Sequence, residues 1–120
     1  MKLGKRVSLI YLVNPELNKL LFYLRDNNPS IPEYGNWSIF GGVLERGETK
    51  KQGLERELRE ELNIPVYNIK YIGQMMKFTN QKLYFFKGEV RETNLDNISI
   101  TEGQKVGYFS PSEIRGGEFE

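Results

Sequence analysis

The sequence contains no cysteine and no histidine. Without cysteine there is no disulfide, no thiolate zinc site and no thiol nucleophile. Without histidine, the side chain that most often serves as general base and transition-metal ligand is missing. Any bound metal must be held by oxygens, which selects hard cations such as Mg²⁺, Mn²⁺ or Ca²⁺. Any general base must be a carboxylate, a lysine or a tyrosine. An excess of charge of one sign is also lacking: 17 Lys and Arg stand against 16 Asp and Glu, a net charge of +1. No global field points to nucleic acid or a membrane surface, so any charge-based function must be local. Nor is there a long hydrophobic run. The opening MKLGKRVSLIYLVNPE is basic, but its apolar stretch is short and has no small-residue cleavage site. It reads as a first strand rather than a signal peptide, and the cytoplasm is the expected location.

What is present suits a single domain over residues 1–120 with one core. Residues 6–13 and 19–24 are β-branched and aromatic-rich runs joined by an Asn14-Pro15-Glu16 turn, and both read as strands. Residues 25–36 (RDNNPSIPEYGN) form a loop long enough to suggest a functional surface. A short apolar run, Trp37–Phe40, ends on Gly41-Gly42. Thr49 with Gln52 makes a capping box, and Leu54, Leu58 and Leu62 form an apolar stripe, predicting a helix over about 50–62. Asn63 suits a left-handed position after the helix, and Pro65 prevents continuation. Gly53 costs the helix about 1 kcal/mol relative to Ala, so a close neighbour is expected there. Strands are predicted over roughly 66–78, 82–91 and 105–110, followed by a short helix opened by Ser110-Pro111. Strands on both sides of one internal helix imply a mixed sheet with the helix packed on it.

At about 100° per residue, Glu57, Glu60 and Glu61 fall on one flank of that helix, with Gly53 a turn earlier. Glu57 and Glu61 are a like-charge i,i+4 pair near the helix C-terminus, unfavourable both for pair repulsion and for the macrodipole. A divalent cation would reverse both signs. The plain alternative is a solvated charged face, since Arg56 and Glu60 also stand at salt-bridge spacing.

The stretch GGVLERGETKKQGLERELREELNI resembles the Nudix box G-x5-E-x7-R-E-U-x-E-E-x-G-U, with U a bulky aliphatic residue. Gly42, Glu48, Arg56, Glu57, Leu58, Glu60, Glu61 and Ile64 fall in register over residues 42–64, and Asn63 stands where the motif has Gly. The resemblance implies an α/β (α+β mixed) fold, a Nudix-type α/β/α sandwich around a mixed sheet. It implies hydrolysis of a diphosphate linkage in a nucleoside diphosphate-X type substrate, with Mg²⁺ or Mn²⁺ as cofactor. A nucleoside triphosphate, an oxidised nucleotide and a nucleotide sugar stay open. By the same resemblance Glu57, Glu60 and Glu61 hold the metal, with the Gly41 carbonyl. Glu48 and Arg56 brace the loop against the helix, while Gly42 and Arg25 lie near phosphate. Glu102, in a late loop, is similar to a further metal ligand or base of the family, or is simply a surface glutamate. Tyr34, Trp37, Phe78, Tyr84 and Phe86 could stack on a base, but the alternation of LYFFKGEV makes most of them packing residues, the resemblance makes Trp37 a core residue, and Met75-Met76 reads as core filler. Most relatives continue beyond Ile114 into a C-terminal helix. A shortened helix here would leave apolar surface, which a homodimer packing near residues 105–120 would cover. The alternative function is a Nudix-fold nucleotide-binding or sensor module that does not cleave, although such modules commonly lose box carboxylates.

Overall fold

The computed structural model describes residues 4–31, 35–77 and 80–117. In chain order the elements are β1 (Arg6–Asn14), β2 (Lys19–Leu24), β3 (Trp37–Ser38), β4 (Phe40–Val43), α1 (Lys50–Glu61), β5 (Tyr67–Met76), β6 (Lys82–Glu89), a 3₁₀ turn (Leu95–Asn97), β7 (Lys105–Phe109) and α2 (Pro111–Arg115). β6 runs parallel to β1 from Arg6↔Lys82 to Val13↔Glu89. The other edge of β1 is divided between β4, antiparallel at Val7–Ile10, and β2, antiparallel at Leu12–Asn14. β3 pairs with Tyr23 and Leu24 of β2, so β3 and β4 fill the fork where β1 and β2 diverge. β7 and β5 close the sheet at its two edges, on β2 and β6 respectively. The result is a mixed α+β fold with a mixed sheet and two helices, the second of five residues.

Alternation along β1 buries Ser8, Ile10, Leu12 and Asn14 and leaves the residues between them half-buried. Ile10 and Leu12 meet Leu54, Leu58 and Leu62 of α1, with Phe40, Leu21 and Phe86 completing the core. The helix starts as its sequence predicts: Thr49 accepts from the Gln52 amide while the Gln52 side chain accepts from the Thr49 amide. Gly53 is a packing requirement. A Cβ there would lie 2.0 Å from Leu44 Cδ2 and 3.1 Å from Glu48 Oε1.

Four expectations change. Gly41-Gly42 does not end the apolar run but lies inside β4, because close neighbours exclude side chains there: Ser8 O would be 2.0 Å from a Cβ on Gly41. Asn63 is not left-handed; the positive-φ non-glycine residues among those described are Asn18, Asn68 and Asn80. Met75 and Met76 are not core filler, being 53% and 59% exposed on the edge strand β5. Trp37 is half-buried against Phe109 at a centroid distance of 4.9 Å rather than part of the core, because β3 is a two-residue strand at the fork. Tyr34 and Phe78 lie outside the described residues.

Candidate active site

Arg56 organises the loop that precedes α1. Its Nε donates to Glu48 Oε2 at 2.7 Å and its Nη2 to Glu48 Oε1 at 3.0 Å, a bidentate pair with both side chains 17% exposed. Nη2 also reaches the Val43 carbonyl at 3.2 Å. Glu48 Oε1 accepts from the Glu45 amide at 2.6 Å, and Arg6 Nη2 donates to the Glu48 carbonyl at 3.0 Å. The Arg56 guanidinium, followed by the Glu45 amide, holds the Glu48 carboxyl below its ordinary pKa. One arginine thus fastens the end of β4, the turn before the helix and the helix itself.

The remaining nitrogen, Nη1, faces the carboxylate flank, donating to Glu57 Oε1 at 3.1 Å and Glu60 Oε2 at 3.3 Å. The Glu57 carboxylate lies against Gly42, where a Cβ would come within 2.5–2.8 Å of its carboxyl atoms. A side chain at 42 would displace the carboxylate from this position. Glu61 is pushed up to about 8, first by burial, then by Glu57, which repels its charge and hydrogen-bonds to it, and then by Glu102 and Glu60. Three carboxylates therefore bear on Glu61, Glu102 among them, which arrives from the loop before β7.

Arg25 lies at the end of β2, where its Nη1 donates to the Tyr23 hydroxyl at 3.1 Å. Burial first, and Glu61 with it, raises the Tyr23 phenol, while Arg25 pulls it down. Tyr23 therefore feels both the Arg25 and the Glu61 charge. Its signal was present in the sequence: in KLLFYL, alternation puts Tyr23 on the same face as the buried Leu21. Two further residues went unnoticed as site components. The Asn63 side chain accepts from the Ser99 amide at 2.7 Å and donates to the Asn97 carbonyl at 3.1 Å. Thr101 donates from its hydroxyl to the Glu60 carbonyl and from its amide to the Glu61 carbonyl, each at 3.1 Å. Of the aromatic candidates, Tyr84 and Phe86 are buried at 8% and 2% exposure beneath Tyr71, which makes them packing residues.

The donor chemistry fits a hard dication: the groups are oxygen-only, anionic and crowded, and the crowding that raises Glu61 is what a dication would relieve. Among the described residues no three carboxylates already converge on an ion-sized point. Glu57 and Glu60 are instead engaged by Arg56 Nη1. Those two side chains would have to turn from the guanidinium to engage a cation.

A mixed sheet carrying a glycine-rich strand, a braced loop and a carboxylate-flanked helix defines the Nudix class, and a profile for the NUDIX domain matches residues 2–119. The chain belongs to the Nudix family. The NAD-capped RNA hydrolase NudC of Haemophilus influenzae is 31% identical over 83 residues, covering 67% of this chain and 31% of that protein. The nucleoside triphosphatase NudI of an Enterobacter species is 35% identical over 57 residues, covering 48% of this chain and 33% of that protein. The match thus spans about a third of the length of these curated relatives. The MutT protein of Methanosarcina mazei shares the fold, with a TM-score of 0.71 at 21% identity over 96% of this chain and 83% of that one.

Proposed function

We propose that the chain is a divalent-metal-dependent hydrolase of a diphosphate linkage in a nucleoside diphosphate-X type substrate. The observation that carries this reading is the placement of Glu57, Glu60 and Glu61 on one flank of α1, with Glu57 lying against Gly42 and with Glu57, Glu102 and Glu60 near enough to help push Glu61 up to about 8. Glu57, Glu60 and Glu61, with the Gly41 carbonyl, would hold Mg²⁺ or Mn²⁺. The cation would neutralise phosphate charge and lower the pKa of water. Arg25 binds a phosphate oxygen, held in place by its hydrogen bond to Tyr23. Gly42 leaves the room that lets Glu57 lie flat against β4. Glu102 accepts the proton of the attacking water, since no histidine is available. Glu48 and Arg56 keep the loop against the helix.

The relatives support a nucleotide-like small molecule, including the dinucleotide cap that the name of NudC describes. We further propose a homodimer, for which the exposed apolar side chains of β5 (Tyr71, Ile72, Met75 and Met76) offer more surface than β7 and α2. The function is tested with a panel of NADH, ADP-ribose, a nucleotide sugar, dGTP and an oxidised dGTP in Mg²⁺ or Mn²⁺. Release of a mononucleotide or pyrophosphate from at least one, abolished by chelator, is expected. Tight binding of a panel member without turnover would favour the sensor module instead.

A further inference from the structure

Asn63 stands where the Nudix box has glycine, and its backbone is not in the conformation that would make it a glycine substitute. Its side chain makes two hydrogen bonds across a sequence separation of more than thirty residues. Oδ1 accepts from the Ser99 amide at 2.7 Å, and Nδ2 donates to the Asn97 carbonyl at 3.1 Å. Its own amide donates to the Ser99 carbonyl at 3.3 Å, and Leu62 forms an isolated bridge with Ile100. A glycine at 63 could keep only the backbone contact.

The next anchor follows two residues later. The last carbonyls of a helix have no partner within it. Thr101 takes two of them, Glu60 by its hydroxyl and Glu61 by its amide. On the far side of Glu102 the chain is pinned again. Gly103, at φ +90, packs so tightly that a Cβ would lie 2.8 Å from the Leu24 carbonyl and 2.9 Å from Tyr23 Cδ2. Gln104 donates from its amide to the Leu24 carbonyl and from its side chain to the Arg25 carbonyl, both at 2.8 Å. Glu102 therefore sits between a clamp on the end of α1 and a clamp on the end of β2. Glu61 is the last residue of the first, and Arg25 directly follows the last residue of the second. An exposed loop glutamate has many rotamers and positions, and this double fastening removes most of the backbone freedom that would multiply them.

We propose that Asn63 and Thr101 are positioning residues, which fix the 97–104 segment to the end of α1 so that the Glu102 carboxylate reaches the attacking water. The proposal rests on the reading of Glu102 as the proton acceptor. The two can fail separately.

The experiment follows hydrolysis of NADH and of dGTP in Mn²⁺, with amide hydrogen exchange of residues 97–104 measured on the same proteins. Glu102→Gln lowers kcat about 10²-fold, as loss of a general base does. Asn63→Gly lowers kcat about tenfold with KM within about twofold, and speeds exchange at 97–104. Thr101→Val does the same, while Thr101→Ser, which keeps the hydroxyl, restores the wild-type rate. In the Glu102→Gln background, Asn63→Gly costs nothing further, because it acts through the missing carboxylate. Multiplying effects in the double mutant, or faster exchange with kcat unchanged, would overturn the positioning role and leave Asn63 a helix-end fastener. If Asn63→Gly does not fold, the two Thr101 variants carry the same decision. A Glu102→Gln enzyme as fast as the wild type would instead overturn the reading of Glu102. A wild type that turns over neither these two compounds nor ADP-ribose, a nucleotide sugar or an oxidised dGTP would overturn the hydrolase reading beneath both.

Discussion

Glu61 is the residue at which the proposed chemistry and the stability of the fold are most directly linked. Burial and Glu57 push its carboxyl up to about 8, above the ordinary carboxylate range. A raised acid favours the folded state when protonated, so its contribution is fully present at low pH and is lost as pH rises through the folded value. In chelator, the protein should therefore melt at a higher temperature near pH 6 than near pH 9. Glu61→Gln should flatten that dependence. Calorimetry over this range checks it, and an unchanged slope in the variant would place the repulsion elsewhere. Arg56 makes a different prediction, because it both braces the loop and holds Glu57 and Glu60. Arg56→Ala should lower the melting temperature and cut activity more than about tenfold, since partly buried carboxylates lose their donor. Lost activity with an unchanged melting temperature would place Arg56 in contact with substrate instead. Spacing alone put Glu57, Glu60 and Glu61 on one flank with a solvated charged face as the alternative, and the resemblance to the Nudix box added their metal role and the bracing role of Arg56. The role of Asn63 was not legible, because its partners, Asn97 and Ser99, lie more than thirty residues away and no local pattern announces them.

At the level of elements, α1 was the most readable part of the chain. Its capping box, leucine stripe and glycine all depend on neighbours within a few turns, and the helix begins at Lys50 as expected. The glycine pair in β4 was harder to read. Glycine commonly ends a strand, and only the approach of β1 and of Glu57 explains its place inside one. The same logic gives a test at Gly53. Intrinsic propensity alone says that Ala would stabilise the helix by about 1 kcal/mol. The contact with Leu44 Cδ2, at 2.0 Å from an added Cβ, says that Ala overpacks the joint between helix and loop. Overpacking typically costs about 1–3 kcal/mol, so Gly53→Ala should lower the melting temperature and loosen the Glu48–Arg56 brace. A stabilised variant would mean that Leu44 moves aside freely.

Across the whole molecule, one face of the sheet carries α1 and the carboxylates, and the edge strand β5 carries exposed apolar side chains. Alternation failed to identify β5 as an edge, because Ile72 and Met76 stand among Asn68, Lys70 and Gln74 on its more polar face and sheet order is set by pairings distant in sequence. For the same reason Met75 and Met76 read as core. If a second copy covers this edge, light scattering at micromolar concentration should give a dimer, and Ile72→Lys should return it to monomer. A monomeric wild type would remove that proposal without touching the chemistry. Among the described residues no helix is long and apolar enough to cross a membrane.

The central claim is that the carboxylate flank of α1 performs metal-dependent hydrolysis. It is tested most directly by measuring mononucleotide release from NADH, and pyrophosphate release from dGTP, by wild type and Glu61→Gln with Mn²⁺ and with excess chelator. The account predicts turnover only in Mn²⁺, with Glu61→Gln folded and slower than the wild type by about 10²-fold or more. Full activity in chelator, or a Glu61→Gln protein that hydrolyses either compound at the wild-type rate, would contradict it.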